Sequence, residues 1–144
     1  MTKARPARTP ARSRKTAAGA ANRLPRAIIA HADASKVLGI KAGQDTDHRF
    51  VGVWPIVIDG RLFARSWTLK PAGWFRTFLD DPLGVLQVGD REVRVRARRV
   101  TSESMLDRIE RAYAEKYPTP GSRKYVVGFR TPRRRAATIE FVRR

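Results

Sequence analysis

Asp59 and Gly60 stand between two β-rich runs, F-V-G-V-W-P-I-V-I before them and R-L-F-A-R-S-W after them. No other feature restricts the fold of this chain as strongly. Asp-Gly between such runs specifies a two-residue type I′ hairpin, because both central residues need positive φ. That turn sets the register: Ile58 opposes Arg61, Ile56 opposes Phe63, and Trp54 opposes Arg65. Period-2 alternation then places Trp54, Ile56, Ile58, Phe63, Arg65 and Trp67 on one face. Val51, Val53, Val57, Leu62 and Ala64 take the other. A hairpin apolar on both faces belongs in a barrel or in a sheet covered on both sides. Pro55 has no N–H for a ladder, so the strand has an edge or a bulge there.

The rest of the folded part alternates hairpins with helices. Asp33 is an expected N-cap for a helix over Ser35–Ile40. Trp74, Phe75, Phe78 and Leu79 predict a helix within Pro71–Asp81, stopped by Pro82. A second hairpin turns at Gly89-Asp90, between Val85–Val88 and Arg91–Val100. Thr101 or Ser102 caps a helix reaching about Tyr117, with Leu106, Ile109, Ala112 and Tyr113 inward and an Asp107–Arg111 pair outside. T-P-G-S-R-K-Y reads as a loop, followed by Tyr125–Phe129 and a closing strand over Thr138–Val142. This order predicts one α+β domain over 27–144, an antiparallel sheet or small barrel with helices outside.

Charge is spread unevenly. The chain carries 31 Lys+Arg and 13 Asp+Glu, a formal net charge of +18. Residues 1–26 hold eight basic residues and no acidic one, and their large aliphatics are few. That composition predicts a disordered arm able to bind nucleic acid nonspecifically through counterion release. Zero cysteines exclude disulfides, thiolate catalysis and Cys-ligated metal. No run approaches the ~20 apolar residues of a membrane span, and a cytoplasmic location is expected.

Individual residues sort into a few candidate sites. Arg65 lies among aromatic positions, where an unpaired charge is costly; it is either an anion clamp or a structural cation. Ser122, Arg123, Lys124 and Tyr125 crowd the loop after a helix end, with Gly121 able to open a backbone nest for an anion. Arg94, Arg96 and Arg98 alternate along one strand face as a basic stripe suited to nucleic acid, extended by Arg99 and Arg133–Arg135. Asp45, Asp47 and His48 lie close in one loop but lack a distant partner, so no metal site is assigned. Neither His48 nor His31 is placed near a nucleophile by sequence, and the catalytic residues are unknown.

The strings HRFVGVWPIVIDGRLFARSW, GWFRTFLDDPLG and AYAEKYPTPGSRKYVVGF resemble an uncharacterised bacterial family, domain of unknown function 2255. The resemblance covers roughly His48 to Val142 and extends remotely to the flavin-binding split β-barrels. It implies a small antiparallel split β-barrel with flanking helices, a homodimer, and FMN or a deazaflavin as cofactor. If the protein is an enzyme, it implies a flavin-type oxidoreductase. Phosphate donors for such a ligand would come from Arg65, Ser66, Lys70, Ser122, Arg123 and Lys124. Trp54, Trp67, Trp74 and Tyr125 would line the ring slot. The alternatives are a nucleic-acid-associated protein using the arm and the arginine stripe, and a ligand-free dimeric interaction module.

Overall fold

The structure, a computed structural model, describes residues 22–45 and 47–144. Seven strands make one sheet with every neighbouring pair antiparallel, in the order β2-β1-β5-β6-β7-β4-β3. The strands are β1 (Leu38–Ala42), β2 (Val51–Val53), β3 (Ile56–Ile58), β4 (Arg61–Arg65), β5 (Leu83–Val88), β6 (Arg91–Arg99) and β7 (Thr138–Arg143). The helices are α1 (Arg26–Ala34), α2 (Trp74–Asp80), α3 (Glu103–Lys116), α4 (Pro120–Gly128) and α5 (Pro132–Ala136).

The run read as one strand before Asp59 is two strands, and the break falls at Trp54-Pro55. β2 and β3 lie at opposite ends of the sheet order, yet only these two residues separate them. Three Cα–Cα steps span at most about 11 Å. The sheet therefore curls until its two edges approach each other, which makes the α+β split barrel. Beyond the break the expected register holds: Ile56 pairs with Phe63 and Ile58 with Arg61. The turn has φ 53° at Asp59 and 73° at Gly60, as type I′ requires.

Both faces of that hairpin are buried, in two separate clusters. Val53, Leu62 and Ala64 join the inner core with Leu86, Val95, Ile139 and Phe141, closed by Ile28 and Ala32 of α1 and by Trp74, Phe75 and Phe78 of α2. Ile56 and Phe63 face outward onto Leu106, Ile109 and Tyr113 of α3. Helix α3 starts where its cap predicts: Ser102 Oγ accepts from Met105 N. Asp107, expected to pair with Arg111, is instead 2.9 Å from Arg135 Nη2.

Two segments differ from expectation. Ser35–Ile40 is not a helix: α1 ends at Ala34, and Leu38–Ala42 is strand β1 between β2 and β5. Leu38, Ile40 and Ala42 are buried in strict alternation, and sheet pairing on both edges outweighs the local helical spacing. T-P-G-S-R-K-Y is not a loop but the first turns of α4, with Tyr125 to Gly128 completing it. Thr119 is its N-cap and Pro120 its first residue, so the turn-forming residues mark a helix start.

Of the expected arm, residues 1–21 lie outside the described residues. Residues 22–26 are packed on the sheet: Leu24 is buried, and Arg143 donates from its backbone N to Asn22 O (2.8 Å) and from Nε to Arg23 O (2.7 Å). Among the described residues no helix is long and apolar enough to cross a membrane.

Candidate functional site

At the barrel seam an open slot of about 450 Å³ is bounded by β2 with Trp54, by Trp67 and Thr68 after β4, by Trp74 at the start of α2, and by Tyr125 and Phe129. Its aromatic walls are locked from behind. The Trp54 indole stacks on Tyr117, centroids 4.4 Å apart and planes within 8°. Trp67 has the Arg134 guanidinium 3.7 Å from its ring centroid, and Arg134 Nε donates to Trp67 O at 2.8 Å. Tyr125 meets both indoles edge-on, at 4.9 Å from Trp67 and 5.7 Å from Trp54. Rings fixed in this way present an apolar slit to a flat ligand at little further entropic cost.

Arg65 forms part of the slot floor, but its side chain is fully buried. Nε donates to Thr138 Oγ1 (2.7 Å), Nη1 to Phe129 O (3.0 Å) and to Glu110 Oε2 (3.2 Å), and Nη2 to Leu106 O (3.4 Å). Burial lowers its pKa, and the Glu110 carboxylate works against that shift. The anion-clamp expectation is therefore corrected. The guanidinium is committed to internal acceptors, as a structural cation whose partner is Glu110 rather than an aromatic ring.

The other expected phosphate donors are dispersed. Ser66 is buried, with Oγ donating to Thr68 O at 2.8 Å. Ser122 Oγ accepts from Thr119 Oγ1. Lys70 and Arg123 are exposed and lie outside the slot lining. Lys124 is exposed, with Nζ 5.3 Å from the Tyr125 ring centroid, at the rim. The structure thus brings Trp54, Arg65, Trp67, Trp74 and Tyr125 together and leaves the remaining donors apart.

Val51 and Trp74 also border a second hollow of about 610 Å³, whose lining includes Asp45, His48, Arg49, Asp80 and Asp81. The His48 ring spans the Arg49 and Ala42 carbonyls, and Asp81 accepts from Gln44 N at 2.9 Å. Among the described residues no group of three or more His, Asp or Glu could hold a metal ion. Sequence reasoning misses Phe129 in the slot wall and Arg134 behind Trp67. By sequence Arg134 belongs with the basic stripe, and nothing local marks it as a partner of Trp67.

Tyr113 ties the slot to α3: its hydroxyl accepts from Arg65 N (2.9 Å) and donates to Trp54 O (2.7 Å). Burial raises the pKa of Tyr113, and burial likewise raises that of Tyr117. Raised tyrosine pKa values favour the neutral phenol in the fold. Their stabilisation is complete below the unfolded value near 10 and is lost as pH rises through the folded values. The urea midpoint is expected to fall steadily above pH ~10, and Tyr113→Phe with Tyr117→Phe to flatten that fall. A double variant with the same alkaline slope as the parent would refute the assignment.

The family model described as "Uncharacterized protein conserved in bacteria (DUF2255)" matches residues 28–141. No curated protein matches the sequence. Among solved structures, the chain is similar to a conserved hypothetical protein of Mycobacterium tuberculosis, with TM-score 0.55 and 17% identity over 85% of this chain and 81% of that one. A Listeria innocua protein assigned as a pyridoxamine 5'-phosphate oxidase gives TM-score 0.53 and 14% identity, covering 81% and 88%. An F420-H2-dependent reductase gives 0.52 and 16%, covering 74% and 93%. At these identities the likeness is one of fold.

Proposed function

The chain belongs to the DUF2255 family, and from that premise we propose that it binds a flavin- or deazaflavin-type ring in the aromatic slot. The observation that carries this reading is the slot itself: an open cavity of about 450 Å³ whose apolar walls include three tryptophans and a tyrosine. The fold shared with a reductase that uses F420-H2 supports the choice of ring class, although a fold alone does not fix a function.

The residues present suit the planar part of such a ligand. Trp54 and Trp67 stand ready to cover a ring, and their own contacts hold them in place. A phosphate or other anionic tail would fall to Lys124 at the Tyr125 end or to Arg49 across Val51, since Arg65 is committed internally. A bound flavin or deazaflavin would supply hydride-transfer chemistry; the chain would supply binding, orientation and exclusion of water. The open slot also weighs against a ligand-free interaction module.

The test is titration of the full chain with FMN, riboflavin and a deazaflavin, read by ligand fluorescence and by thermal shift. At least one is expected to bind with quenching, and Trp67→Ala or Tyr125→Ala to weaken it by about tenfold or more, the scale of one lost ring contact. If none of the three shifts the unfolding midpoint at saturating concentration, the reading fails.

A further inference from the structure

Among the described residues, a helix covers the β3–β4 side of the sheet's outer face and none covers the β6 side. Helix α3 packs on β3 and β4, while Arg94, Arg96 and Arg98 of β6 stay exposed on the same face, with half-buried Val85 and Leu83 of β5 beside them. Among the described residues none of these arginines has a hydrogen bond or an ion pair to a carboxylate. The one carboxylate directly across from the stripe, Glu140 opposite Arg98, is taken by Arg61, whose Nε and Nη2 reach it at 3.0 and 2.9 Å. At the Arg94 end the stripe runs into a hollow of about 430 Å³ where Arg94 and Arg144 outnumber Glu92.

We propose that this stripe is a binding site for the sugar–phosphate backbone of single-stranded nucleic acid. Alternate residues of a rigid strand lie roughly 6.6–6.8 Å apart, the scale of the through-space distance between successive phosphates of an extended single strand. Each guanidinium offers a planar fork for a phosphate. The neighbours on β5 are aliphatic, so there is no stacking platform and contact is to backbone, without base preference. The stripe is shorter than the sequence suggested. Arg99 turns to the opposite face, over the Phe75 ring; Arg134 lies on Trp67, and Arg135 binds Glu103, Asp107 and Glu110. This site is separate from the aromatic slot and does not depend on it.

The test uses the full chain and a fluorescent 20-nucleotide single strand, with affinity measured across a salt series starting at about 50 mM. Arg94→Gln with Arg96→Gln and Arg98→Gln is expected to lower the slope of log affinity against log salt by about 2, three contacts at ~0.7 each. A control with the same loss of charge, Arg76→Gln with Arg111→Gln and Arg130→Gln, is expected to keep the parent slope. Equal loss in both triple variants would overturn the proposal, as would no binding by the parent at the lowest salt. Stripe-dependent binding to anionic lipid vesicles without binding to the oligonucleotide would overturn it too.

Discussion

Replacing Glu110 with alanine is expected to lower the thermal unfolding midpoint by roughly 10–20 °C, at about 3–5 °C per kcal/mol for a chain of this size. Glu110 Oε2 accepts from Arg65 Nη1 at 3.2 Å and also from Arg135 Nη1. Without it the Arg65 guanidinium, whose side chain has no solvent exposure, keeps only neutral acceptors in Thr138, Phe129 and Leu106. Removing one partner of a buried ion pair costs about 3–5 kcal/mol, because the remaining charge is stranded. That is a large share of the 5–15 kcal/mol typical of a whole domain. Arg135→Ala removes the same carboxylate's other partner, but the Arg135 pairs with Glu103 and Asp107 are largely solvated and worth about 1 kcal/mol or less. Its midpoint is therefore expected to stay within a few degrees of the parent. Equal losses from Glu110→Ala and Arg135→Ala would show that Arg65 does not depend on Glu110. The consequence reaches the slot, since Arg65 also holds Phe129 O and, through Tyr113, Trp54 O.

That network shows where sequence reasoning stops. The exceptional position of Arg65 was legible, because Asp59-Gly60 fixes the register and the register puts a charge on an aromatic face. Its partner was not, because Glu110 is 45 residues away and reaches it only when α3 packs on the outer face. The split of the first strand has a similar cause. Pro55 signals a break, but no local pattern says that β2 and β3 go to opposite edges of one curled sheet. At β1, local helical spacing competed with period-2 burial, and pairing with two neighbours decided the outcome. The start of α4 is hidden in the sequence because Thr119, Pro120 and Gly121 serve equally well in a turn and in a helix cap. The four rings proposed for a slot do surround one cavity, yet the elements behind them, Tyr117 and Arg134 above all, follow only from tertiary packing.

Gly128→Ala is expected to weaken ring-ligand binding at the slot by tenfold or more, while destabilising the chain by about 1–2 kcal/mol. Helix propensity alone argues the other way: alanine in place of a helical glycine gains about 1 kcal/mol. The close approach of Trp67 reverses that sign. A Cβ on Gly128 would stand 2.4 Å from Trp67 Cζ3 and 2.5 Å from Cη2, distances at which something must move. Arg134 at 3.7 Å from its ring centroid, Tyr125 at 4.9 Å and Phe129 at 5.9 Å hem the indole in, so it can yield only toward the open slot. Either α4 lifts away from the barrel or the indole leaves the slot wall, and both remove the ring face on which the proposed ligand rests. Trimming the indole in the same background separates the two effects: Gly128→Ala with Trp67→Leu should recover the lost stability but not the binding, a non-additivity that a double-mutant cycle reads directly. A Gly128→Ala variant that is more stable than the parent and binds FMN, riboflavin or the deazaflavin as the parent does would mean that Trp67 is not held where the slot requires it.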